Sequence, residues 1–204
     1  MAYTDFTIFD LKEQFGITEQ VKQLFEVVKP SEISKMLRAE LAFSKEVKIR
    51  SEKSRSEWIV APILGEIKRK NPHLFAIYSG ETLIADRAKG LTGECDFILD
   101  ADTHSFEIST PILTIVEAKK NDTDAGIPQC AAQLLGAKIY NERSGNTLPT
   151  QYGCVTTGYD WRFLKLTDNQ LLIDETTYRL DHIEILLGVF QHILDYYKNH
   201  LENQ

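Results

Sequence analysis

Ile112-Leu113-Thr114-Ile115-Val116-Glu117-Ala118-Lys119-Lys120 is the stretch whose reading decides the fold. After Pro111 it runs apolar and β-branched, which predicts a buried strand. It then ends abruptly in Glu-Ala-Lys. Residues two apart in a strand share a face. Glu117 and Lys119 therefore point the same way, at the strand's end, just beyond the core. A carboxylate and an ammonium so placed at a sheet's rim can hold a cation and a water together.

Upstream lies Gly93-Glu94-Cys95-Asp96-Phe97-Ile98-Leu99. Here Asp96 sits inside an apolar strand, where an isolated charge is costly and wants a partner or a metal. The polar stretch 101–110 joins the two strands as a hairpin, which brings Asp96 beside Glu117. Two adjacent carboxylates repel unless a cation bridges them. Hard oxygen ligands suit Mg²⁺, with Mn²⁺ as substitute. Such a pair is sufficient for metal-assisted attack on a phosphodiester, with Lys119 orienting the water or stabilising developing negative charge.

Outward from this pair the pattern alternates helix and strand. Residues 1–50 read as a mostly helical appendage, with Thr7 and Asp10 as a cap and Gly16 as a stop. Ser31 opens a second helix with Ile33, Met36, Leu37 and Leu41 on one face. Residues 51–204 read as the main domain. A helix spans 51–71, with Pro62 implying a kink or restart. Leu74–Tyr78 predicts a short strand closed by Ser79-Gly80. Gly126-Ile127-Pro128 introduces a helix to about Tyr140. Tyr152–Thr156, Trp161–Leu166 and Leu171–Asp174 read as strands. Ile183, Leu186, Leu187, Phe190, Leu194 and Tyr197 recur at helical spacing, as core or an interface. This order predicts an α/β or α+β fold with a mixed central sheet flanked by helices.

Asp96 followed by Glu117-Ala118-Lys119, within helix, three strands, helix and strand over roughly residues 51–157, resembles the PD-(D/E)xK superfamily of restriction-endonuclease-like nucleases. More narrowly it is similar to bacterial, often cyanobacterial, members related to the N-terminal nuclease domain of type I restriction subunits. Cys95 stands where the motif's name has Pro. The resemblance implies a Mg²⁺-dependent endonuclease acting on DNA, with Asp96 and Glu117 as metal ligands. It implies a glutamine after the lysine, which Gln129 and Gln133, four apart on one helical face, both match. It also implies a glutamate from the first helix, as a catalytic group and metal ligand. Glu57 and Glu66 lie nine apart, about 180° around an ideal helix, so both cannot face the site. The stripe of Val60, Ile63, Leu64 and Ile67 centres nearer Glu57, which is preferred. Two copies would let two sites cut two strands, so a homodimer is the favoured assembly. A silent nuclease-fold module binding nucleic acid or protein is the alternative. A partner subunit docking through its C-terminal helix is a third reading.

Bland readings stand beside these. Glu117 with Lys119 is also what a strand-end ion pair looks like. Glu94, Asp122 and Asp124 fit turns and loops, Lys120 fits solvent, and Cys130 fits packing. Thr156, Thr157 and Trp161 fit a strand with a buried aromatic as well as a surface for nucleic acid. Three cysteines without a CxxC pair exclude a disulfide framework or zinc site. No apolar run reaches a membrane span, and Met1–Asp10 lacks signal-peptide features, so the expected setting is cytoplasmic. The net charge of −7 is uneven: residues 45–70 hold eight Lys and Arg against four Glu. A basic face on an acidic chain is compatible with a phosphate footprint.

Overall fold

The computed structural model describes residues 1–202. Among these, eight strands form one sheet in the order β1-β7-β6-β5-β4-β3-β2, with β8 pairing β6. The strands are β1 (Thr18–Lys22), β2 (Ala76–Asp86), β3 (Leu91–Asp100), β4 (Ile112–Ala118), β5 (Thr150–Thr156), β6 (Asp160–Thr167), β7 (Gln170–Asp174) and β8 (Tyr178–Arg179). β4 pairs β5 in parallel and β1 pairs β7 in parallel, while the other pairs are antiparallel. The sheet is therefore mixed, as the element order predicted.

Helices cover both faces because the central strands are buried on both. Every residue of β4 and β5 is buried. On one face α2 (Lys35–Ser44), α4 (Ala61–Lys70) and α6 (Ile183–Glu202) pack on Phe97, Leu113, Val116, Trp161 and Phe163. On the other, α1 (Ile8–Phe15) and α5 (Ile127–Arg143) cover Ile98, Ile115, Val155 and Leu164. α5 is rich in Ala and Leu, and Cys130, Ala131, Ala132, Leu134 and Ala137 are all buried. Its nearly all-round apolar surface is what a helix sandwiched in a core requires.

Several boundaries differ from the sequence reading. β2 does not stop at Ser79-Gly80 but runs to Asp86, because Gly80 takes a φ of 70° that a side chain would resist. Segment 1–50, expected to be a helical appendage, is woven into the same sheet. It supplies β1, whose register runs from Thr18 opposite Gln170 to Lys22 opposite Asp174. It also buries Tyr3, Leu11, Phe25 and Leu37 in the two cores. The apolar stripe of α6 is core: Phe190 meets Trp161 and Phe163 edge-on at 5.7 and 5.1 Å between ring centres. It leaves no Phe190 surface for a partner, which removes the argument for docking through this helix.

The expected break at Pro62 takes a specific form. A short helix α3 (Glu52–Arg55) runs through a π turn, Ser56–Val60, into α4. Proline lacks an amide hydrogen and its ring crowds the carbonyl four residues back, so the ladder widens by one residue just before it. No described helix is long and apolar enough to cross a membrane.

Candidate active site

β3 and β4 pair through Phe97 with Val116 and Ile98 with Ile115. One residue further, the backbone ladder ends and side chains take over. The Ala118 amide donates to Asp96 Oδ2 at 2.7 Å, so the Asp96 carboxylate replaces a main-chain acceptor. Continuing the register sets Asp96 across from Glu117. Both follow Ile98 and Ile115 on the face covered by α5. The geometry thus brings together the two acids that the hairpin argument paired.

Glu117 is only 3% exposed, and both its oxygens are engaged. Lys119 Nζ donates to Oε1 at 2.8 Å and Gln133 Nε2 donates to Oε2 at 2.8 Å. Lys119 Nζ also donates to Gln129 Oε1 at 2.8 Å. The two glutamines, one turn apart on α5, therefore reach the same cluster from above the sheet. Gln133 Nε2 also lies 3.4 Å from the Glu94 carbonyl, while Gln133 Oε1 is buried with no hydrogen-bond partner.

The stem of Lys119 is confined. A Cβ on Gly126 would come within 2.5 Å of Val155 Cγ1 and 2.9 Å of Lys119 Cγ. Gly126 has an ordinary φ of −92°, so space rather than backbone conformation calls for glycine there. Its lack of a side chain lets the start of α5 close over Lys119.

Electrostatically the pair is uncomfortable. Burial, followed by the charge of Asp96, pushes the Glu117 carboxyl well above the usual carboxylate range, and Lys119 and Gln133 offset only part of this. Burial also raises Asp96, against the Ala118 amide and Lys119, with Glu52 and Glu94 adding repulsion. A buried and a half-buried acid, both driven upward by burial and by neighbouring negative charge, form a site that favours an added cation.

The helix glutamate is where sequence reasoning and structure diverge. Glu57 has a side chain 53% exposed, with Lys53 Nζ at 3.9 Å. Glu66 is 1% exposed and serves another purpose. It accepts from the Ser34 amide at 3.0 Å and from the Ser34 hydroxyl at 2.6 Å, tying down the N-terminus of α2. The glutamate that reaches the rim is Glu52, which accepts from the Lys120 amide at 3.2 Å and whose charge acts on Asp96. The helix lies on the face opposite α5, so only its first turn reaches the end of β4. Ser51 caps that turn and fixes Glu52 at its start. The cap signal was present in the sequence, but nothing local said which turn met the strand end.

The remaining candidates take the bland roles. Asp124 pairs with Arg162 at 2.5 Å, and Asp122 Oδ1 accepts from the Asp124 amide at 2.9 Å. Trp161 is fully buried and donates to the Gly158 carbonyl at 3.1 Å. Thr156 Oγ1 donates to the Asp160 carbonyl at 2.9 Å. Cys95, Cys130 and Cys154 are free and buried. Glu94 and Lys120 are exposed at the rim.

No family model matches the chain, and no curated protein matches it. Among solved structures, it is similar to the type IIG restriction endonuclease BpuSI, with 17% sequence identity and a TM-score of 0.47. The likeness covers 70% of this chain and 16% of that one. At that identity and overlap it assigns no activity to this protein.

Proposed function

We propose that this chain hydrolyses phosphodiester bonds in DNA with a bound Mg²⁺, and that Asp96, Glu117 and Lys119 carry the reaction. The observation that carries this reading is the placement of Asp96 opposite Glu117 with the Lys119 ammonium 2.8 Å away, at the open end of a buried sheet. The donor set fits a hard divalent ion. It is all oxygen, and each acid is raised by burial and by charge. No group of three His, Cys, Asp or Glu among the described residues forms a ready metal cage. Two carboxylates with waters and phosphate oxygens completing the shell is the usual manner of Mg²⁺.

Asp96 and Glu117 would hold the ion. When bound, a divalent ion supplies Lewis acidity towards phosphate and water. Lys119 supplies a fixed positive charge beside the phosphate as negative charge builds on its oxygens. Gln129 holds the Lys119 ammonium on one side and Glu117 holds it on the other. Gln133 orients Glu117, and its unpartnered Oε1 offers an acceptor to a water entering the site. Glu52, rather than Glu57, is placed at the rim to take part from the helix.

A second reading, a silent module of the same fold, is favoured by one observation. Lys119 already pairs with Glu117, so the acid has a positive partner without a metal ion. Calorimetric titration with Mn²⁺ and Mg²⁺, together with cleavage assays on single-stranded and duplex DNA and on RNA, separates the two. Metal uptake is expected, with cleavage that falls at least ~10²-fold in Lys119→Ala, the usual scale for losing one charge-stabilising group. Wild-type protein that takes up neither ion and cleaves no better than Lys119→Ala supports the silent module.

A further inference from the structure

We propose that the rim beside the site is a stacking ledge for an unpaired stretch of nucleic acid, built from Trp58, Phe43 and Tyr159 with Lys48, Arg50 and Lys53. The inference rests on the nuclease reading for the ledge's purpose and names the substrate form: a strand with unpaired bases.

Contacts and one continuous helix run from the site to the ledge. Glu52 accepts from the Lys120 amide just past β4. One turn along the same helix, Arg55 donates to the Thr157 carbonyl at 2.8 Å, and its guanidinium lies 5.6 Å from the centre of the Tyr159 ring. Tyr159 stands in the turn after β5, the parallel partner of β4, at the end of the sheet that holds Glu117. Three residues beyond Arg55, Trp58 leans on Phe43 of α2, with ring centres 5.8 Å apart.

These aromatic rings are not core. Trp58 is 38% exposed, and Phe43 and Tyr159 are about half exposed. Of the five aromatics among the exposed large hydrophobics, these three gather on this one rim. Lys45, Lys48, Arg50 and Lys53 are exposed along the segment between Phe43 and Trp58, interspersed with Glu46, Glu52 and Glu57, and Lys53 Nζ lies 3.9 Å from Glu57. A groove of about 330 Å³ opens beside Tyr159 and Lys45, lined also by Leu41 and by Arg179 paired with Asp181 at 3.3 Å. Exposed rings joined by a cation-bearing segment suit a strand that offers both bases and phosphates. A closed duplex hides its base faces and could use only the cations. Lys45, Lys48, Arg50 and Lys53, spaced two or three residues apart, offer phosphate contacts along one segment.

The test uses the whole protein in EDTA, so that binding is read without cleavage. The chain has two tryptophans, of which Trp161 is fully buried, so quenching of the exposed fluorescence reports Trp58. A 12-nucleotide oligo-dT and a 12-base-pair duplex are titrated at several salt concentrations, following fluorescence quenching and the anisotropy of a labelled strand. The single strand is expected to quench Trp58 and to bind about tenfold or more tighter than the duplex. Trp58→Ala should weaken single-strand binding about tenfold, the scale of one lost base stack, and leave duplex binding unchanged. The double variant K48A/R50A should lower the salt slope by roughly one. Equal binding of duplex and single strand, or unaltered single-strand binding by Trp58→Ala, overturns the ledge. Failure of the nuclease reading looks different: quenching persists, while no metal-dependent cleavage appears. Folding of each variant is checked by its thermal midpoint, and Trp58→Phe, which keeps a ring, should retain most of the binding.

Discussion

Glu117 occupies a position that destabilises the chain in the absence of a cation. It is buried, faces Asp96 and is raised by both. Replacing it with Gln removes a buried charge while keeping an acceptor for Lys119. The new amide group would meet Gln133, whose own side chain can turn over and offer the Oε1 that has no partner. Glu117→Gln is therefore expected to raise the thermal midpoint at pH 8 in EDTA by roughly 2–4 °C, the response to about 1 kcal/mol in a chain of this size. Any rise on adding Mg²⁺ should vanish in the same variant, since a ligand that binds only the folded state stabilises it by mass action. Thermal unfolding with and without MgCl₂ reads both. A lower midpoint for the variant in EDTA would mean that the carboxylate holds the fold together rather than waiting for an ion.

At the scale of the element, the bent helix from Glu52 to Lys70 divides its glutamates among three tasks. Glu52 at the first turn meets the strand end, Glu57 faces solvent, and Glu66 binds α2. Burial would raise Glu66, yet hydrogen bonds from Ser34 and Arg69 hold its carboxyl below the usual range. Glu66→Ala leaves the Ser34 amide and hydroxyl without that acceptor and the Arg69 guanidinium without one of its carboxylates. A loss of about 2–3 kcal/mol is expected, as for other buried charge-assisted bonds. Glu57→Ala should stay within about 0.5 kcal/mol, as exposed positions do. Urea unfolding with an unchanged slope checks both. Equal losses would show that α2 does not depend on Glu66. The sequence-level choice between Glu57 and Glu66 failed for a physical reason. It weighed the two against an ideal helix with a kink at Pro62, whereas the residue at the strand end is Glu52 in the first turn, and the π turn before Pro62 shifts Glu66 relative to Glu57.

At the scale of the molecule, the carboxylates at the end of the hairpin couple folding to pH. Burial lifts Asp100 to about 6, against hydrogen bonds from the Ser109 and Asp102 amides. Its ordinary value is 3.8. Between these two values the folded chain keeps a proton that the unfolded chain has lost. Its contribution is thus full below pH 3.8 and lost as the pH rises through about 6. Across that window the stability of wild type relative to Asp100→Asn should fall with rising pH, with a slope approaching 1.4 kcal/mol per pH unit for one proton. Denaturant unfolding from pH 4 to 7 checks it. A difference between the two proteins that does not change with pH would place the Asp100 proton elsewhere.

The central part of this fold was legible because its signals are local. The β-branched run 112–118, the alternation around 152–174 and the stripe of α6 each name their element without reference to the rest. The mutual facing of Asp96, Glu117 and Lys119 also followed from strand period and a short hairpin connection. β1 was not legible. Thr18–Lys22 is exposed along its whole length and carries no apolar alternation. Its strand conformation comes from pairing with β7, some 150 residues later in the chain. Likewise no local pattern showed that β2 would run past Gly80 along β3.

What the sequence by itself determined is the inner pair of strands and the facing of Asp96, Glu117 and Lys119 at their end, since a two-residue period fixes which side chains share a face. Only the tertiary structure decided what surrounds that pair. Gln129 reaches Lys119 and Gln133 reaches Glu117 because α5 lies directly over the sheet, and Gly126 leaves room for Lys119 beneath its start. Glu52 arrives because a helix on the opposite face reaches the rim with its first turn alone. Contacts across that distance in the chain are set by packing of whole layers, which no window of neighbouring residues encodes.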